Sequence, residues 1–84
     1  MDKVSEIRRK IDKIDAKIAK LLLEREREVL KLAQEKRDAS LSIKDEEREA
    51  EILERLETPA QKEIFKKIIE KSQEIQRSEF DSKP

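Results

Sequence analysis

Arg25 and Lys36 stand where a helix would be expected to bury apolar side chains. Upstream of them Ile7, Ile11, Ile14, Ile18 and Leu21 keep the 4,3 spacing of a packed helical seam, and Arg25 takes the next inward place. A cation in such a seam costs stability unless something anionic meets it. Lys36 follows about 20° further round the helix and about 16 Å along it, with Val29 and Leu32 between. Two cations on one inner wall can grip a small dianion.

Further along, Asp45, Arg48 and Glu49 open a second helical segment, and Ser72 and Gln76, one turn apart, join the apolar face of a third. Singly, each of these residues has a plainer structural reading. Arg25 can set the register of a coil or snorkel outward, Lys36 can be solvated near a helix end, and Ser72 and Gln76 can border the surface. Together they describe an interior holding two cations, an amide, a hydroxyl and a carboxylate. The chain contains no His and no Cys, which removes imidazole and thiolate chemistry and most transition-metal sites. What remains can hold and polarise a ligand. It suits a reaction that takes no base or nucleophile from the protein, in which a dianion is folded and developing charge is stabilised.

The elements that position these groups are legible in outline. With 50% charged residues, two Phe, and no Trp or Tyr in 84 residues, the chain is one domain spanning residues 1–84, with little apolar surface for a solitary core. Self-association is expected from that alone. Lys plus Arg equals Asp plus Glu, 21 each, so no basic excess points to nucleic acid. The absence of Gly excludes phosphate-cradling loops. The longest apolar run is Leu21 to Leu23 and the first residues lack a signal peptide's apolar segment, so neither a membrane span nor secretion is expected, and a cytoplasmic location follows. The abundance of Lys, Glu, Arg and Ile without Cys or Asn is also a composition of heat-adapted proteins.

Three helices are expected. Ser5 is read as the cap of helix one, which runs to about residue 38, about 50 Å at ~1.5 Å per residue. That is too long to be covered by the rest of one chain, so a second copy is required. Ala39 to Lys44 reads as a connector and Asp45 as the cap of helix two, which presents Ile52, Leu53 and Leu56. Thr58, Pro59 and Gln61 form the start signature of helix three, whose inward face holds Ile64, Phe65, Ile68, Ile69 and Ile75. The tail from Asp81 to Pro84 is expected to fray. Arg8 stands about 25 Å from Arg25 and roughly 100° away on the wheel. One small ligand cannot touch both from the same helix, so a functional Arg8 would serve the site of a second, antiparallel copy.

The pattern Ile7-Arg8-Arg9-Lys10-Ile11 with Asp15, Leu23-Glu24-Arg25, Lys36, Asp45-Glu46-Glu47-Arg48-Glu49, and Ile68-Ile69-Glu70-Lys71-Ser72 with Gln76 resembles the all-α chorismate mutases. The resemblance covers about residues 4 to 80. It departs from the better-known members in a connection between helices two and three that is several residues shorter. The resemblance implies an all-α fold in which two three-helix chains intertwine into a six-helix homodimer with two shared sites. It implies conversion of chorismate to prephenate in aromatic amino acid biosynthesis, with no cofactor and no metal. By that likeness Arg25 and Arg8 of the partner chain would bind the two carboxylates, with Arg48 lining the pocket and Ser72 touching a carboxylate. Lys36 and Gln76 would donate to the ether oxygen, and Glu49 with the backbone at Asp45 would hold the ring hydroxyl. Two other readings stay open: an isochorismate-pyruvate lyase on the same scaffold, and a non-enzymatic helical dimerisation module built on helix one.

Overall fold

The computed structural model describes residues 2–81 and consists of three helices, α1 (Lys3–Asp38), α2 (Glu46–Glu54) and α3 (Pro59–Asp81). The expected fraying from Asp81 onward falls mostly outside these residues, and Asp81 itself closes α3. The start of α1 differs from the sequence reading. Asp2, not Ser5, is the cap: its carboxylate accepts the Ser5 backbone N–H at 2.7 Å and the Ser5 hydroxyl at 3.3 Å. Asp and Ser are similarly good caps, so propensity alone does not choose between them. The aspartate adds a negative charge at the positive end of the helix dipole. These same hydrogen bonds hold the Asp2 carboxyl below its ordinary range, the Ser5 backbone N–H contributing most.

The other two starts are as expected. Asp45 caps α2 by accepting the Arg48 N–H at 3.1 Å, with Glu46, Glu47 and Glu49 in the dipole-favoured first turn. Thr58 and Gln61 form a reciprocal capping box: Gln61 N–H donates to Thr58 Oγ1 at 3.1 Å and Thr58 N–H to Gln61 Oε1 at 3.2 Å. Pro59 takes the first helical position, where its missing N–H costs no hydrogen bond.

The chain is elongated, 58 × 26 × 14 Å. α3 runs beside the C-terminal half of α1 in the same direction, and α2 packs against α3. Across α1 and α3, Arg25 meets Ser72 near the middle, while near the ends Arg37 donates to the Glu79 carbonyl at 3.2 Å and pairs with its carboxylate at 3.5 Å. Apolar burial is slight: among the described residues only Val29 and Ala33 are buried apolar side chains. The N-terminal seam stands uncovered within one chain, with Ile7, Ile11, Ile14, Ile18 and Leu21 at 48–61% exposure. Ile64, assigned to the inward face of helix three, is also 60% exposed. Leu56 falls past the end of α2 but is half-buried, as are Ile52 and Leu53. Among the described residues no helix is long and apolar enough to cross a membrane.

Candidate active site

Seven of the eight residues singled out above line one cavity of about 320 Å³ between the three helices: Arg25 and Lys36 from α1, Asp45, Arg48 and Glu49 from α2 and its cap, and Ser72 and Gln76 from α3. The eighth, Arg8, lies more than four turns before Arg25 on α1 and is not part of this wall. Apolar side chains fill the gaps, including Val29 and Leu32 on α1, Ile52 on α2 and Ile69 on α3.

Most of these polar groups are held by their own neighbours. The Arg25 guanidinium donates to Ser72 Oγ, which in turn donates to the Ile68 carbonyl one turn back at 2.8 Å. Ser72 is 7% exposed, and its single hydroxyl proton is committed to its own helix. It therefore orients Arg25, and would meet a ligand carboxylate only if the hydroxyl turned. Burial, then the nearby positive Arg48, holds Arg25 below the ordinary guanidinium range. An arginine remains charged through neutral pH under such a shift. Two cations whose charges oppose each other across one cavity favour an anion between them.

Lys36 Nζ donates to the Ile43 carbonyl in the α1–α2 connector at 2.8 Å. An ammonium carries three donors, so this contact aims the group and leaves two for a ligand. Gln76 is 5% exposed, and its Oε1 is buried with no hydrogen-bond partner among the described residues. An unpaired buried amide oxygen costs about 1–3 kcal/mol, and the two ends of a glutamine amide are exchanged by a half-turn of its last torsion. Arg48 is more exposed and pairs with Glu51 at 3.2 Å, while its backbone N–H is taken by Asp45. The Asp45 carboxylate thus serves as a helix cap, which leaves its backbone as the part that fits a ligand contact.

Three residues of the wall were not singled out from the sequence: Glu28, whose carboxylate accepts from Lys31 at 3.2 Å, Gln73 and Ile43. Gln73 lines the cavity and donates from Nε2 to Glu49 Oε1. Its signal was its place on α3, four residues after Ile69 and three before Gln76, on the face that carries both. Ile43 contributes a backbone carbonyl, and no side-chain pattern announces a carbonyl. Among the described residues no group of three or more acidic side chains could hold a metal ion.

The arrangement gathers the cations of Arg25, Lys36 and Arg48, the Gln76 amide and the Glu49 carboxylate around one cavity, a set of groups that suits an anionic ligand carrying a hydroxyl. Comparison with curated proteins and with solved structures returns no match. Residues 7–77 match the family described as Chorismate mutase type II, a span that includes Arg8 and every residue of the cavity wall, and the chain belongs to that family.

Proposed function

We propose that this protein is an isomerase that converts chorismate to prephenate, working as a homodimer with two shared sites. The reaction is an intramolecular Claisen rearrangement: the ether C–O bond breaks as a new C–C bond forms, and no atom or proton is exchanged with the protein. Catalysis then consists of holding the reacting ends together and stabilising charge that grows on the ether oxygen. The observation that carries this reading is the convergence of Arg25, Lys36, Arg48 and Gln76 on one cavity that also holds the carboxylate of Glu49.

In this reading Arg25, held by Ser72, takes one ligand carboxylate with its planar fork, a geometry that Lys lacks. Lys36, steadied by Ile43, and the buried amide of Gln76 donate to the ether oxygen. Glu49 accepts from the ring hydroxyl. The second carboxylate falls to Arg8 of a second copy. Support for that copy comes from energetics: with Val29 and Ala33 as the buried apolar side chains among the described residues, one chain has little apolar burial to set against the ordering of its backbone. The exposed seam of α1 offers the missing burial, and an antiparallel copy laid on it brings each helix start toward the other's middle.

The test is incubation of the purified protein with chorismate, following its loss of absorbance and identifying the product. Prephenate is the expected product. Pyruvate from isochorismate would make the chain a lyase, and no turnover of either substrate would leave a dimerisation module.

A further inference from the structure

We propose that Gln73 is a positioning residue that fixes the Glu49 carboxylate for the ring hydroxyl of the substrate, an inference that rests on the chorismate reading above. α2 is the least anchored of the helices. It has nine residues, none of them buried, and it packs against α3. Glu49 therefore gets little orientation from its own helix. Gln73, half-buried on the face of α3 that also carries Gln76, donates from Nε2 to Glu49 Oε1 and so ties the two helices at the cavity wall.

A hydrogen bond to a carboxylate is among the stronger kinds, and it takes one of the two oxygens. The other, Oε2, is left as an acceptor for a hydroxyl donor in the cavity. Without the amide, the Glu49 torsions are free to carry the carboxylate to other partners or to water, and the substrate must order it again on binding. The penalty then falls on substrate capture, while Lys36 and Gln76 still face the ether oxygen.

The test is steady-state kinetics of the full chain on chorismate, with Gln73→Leu, Gln73→Glu, Glu49→Ala and the Gln73→Leu/Glu49→Ala pair, helicity being checked for each. Gln73→Leu is expected to raise KM about tenfold, the scale of one hydrogen bond to a charged group, with kcat falling less than about threefold. Gln73→Glu keeps the volume but replaces the donor with a like charge, and is expected to lose at least as much. In the Glu49→Ala background Gln73→Leu should cost less than about twofold, because the partner is already gone. Equal losses in both backgrounds, or a Gln73→Glu variant as active as the wild type, would overturn the role of Gln73 alone. A wild-type protein inert toward chorismate would overturn the functional reading along with it.

Discussion

Lys36 is a long, flexible side chain with one fixed contact, and that contact decides where its charge points. The Ile43 carbonyl holds the ammonium on the cavity wall at 2.8 Å, facing the same space as the Gln76 amide. Lys36→Ala is expected to lower kcat at least about a hundredfold, the scale for removing a donor aimed at a developing oxyanion. A loss under threefold with helicity intact would remove Lys36 from the chemistry. Because Gln76 does not titrate, Gln76→Glu is expected to move activity toward acid: a carboxyl beside the ether oxygen donates only while protonated, so activity should be retained at low pH and fall as pH rises. An unchanged pH profile would contradict the placement of Gln76. The polar wall was legible because Arg25, Lys36, Ser72 and Gln76 break apolar periodicity, which the sequence displays directly. What each of them touches was not. That Ser72 gives its proton to Ile68, that Ile43 steadies Lys36 and that Gln73 holds Glu49 depend on side-chain directions and on a backbone carbonyl, and residue types do not encode these.

At the scale of elements, the turn between α1 and α2 aims Lys36. α1 ends in a Schellman arrangement: Leu41 N–H donates to the Lys36 carbonyl at 2.7 Å and Ser40 N–H to the Arg37 carbonyl at 3.1 Å. Ser40 sits at the left-handed position with φ 57°, a place usually taken by glycine, which this chain lacks. Ser40→Gly is expected to stabilise the protein by about 0.5–1 kcal/mol, the relief of left-handed strain less the added entropy of the unfolded chain. Thermal unfolding at one fixed protein concentration checks it, and a midpoint that stays or falls would show that the turn carries no such strain. The connector from Ala39 was legible as a break, but its left-handed residue was not, because no Gly or Asn marks it. The starts of α2 and α3 were legible because Asp45 and the Thr58-Pro59-Gln61 trio are the local cap candidates. At α1, Asp2 and Ser5 compete three residues apart, and only the hydrogen bonds decide between them.

For the whole molecule, the mismatch between α1 and the rest of the chain is the main fact. Thirty-six residues of helix are covered by α3 only over their C-terminal half, and the bare N-terminal half carries both the apolar seam and Arg8. That one chain leaves half of α1 bare was legible from length and composition. The docking angle of a second copy on that seam was not, since seam spacing alone fits more than one. The proposed antiparallel dimer makes each site composite, with Lys36 from one copy and Arg8 from the other. The direct test is to prepare Arg8→Ala and Lys36→Ala chains separately, confirm that each is inactive, then unfold, mix in equal amounts and refold them. Random pairing makes half of the dimers mixed, each with one intact site and one doubly defective site, so about a quarter of wild-type activity should return. No recovery, despite demonstrated mixing of the two chains, would contradict a site shared between copies.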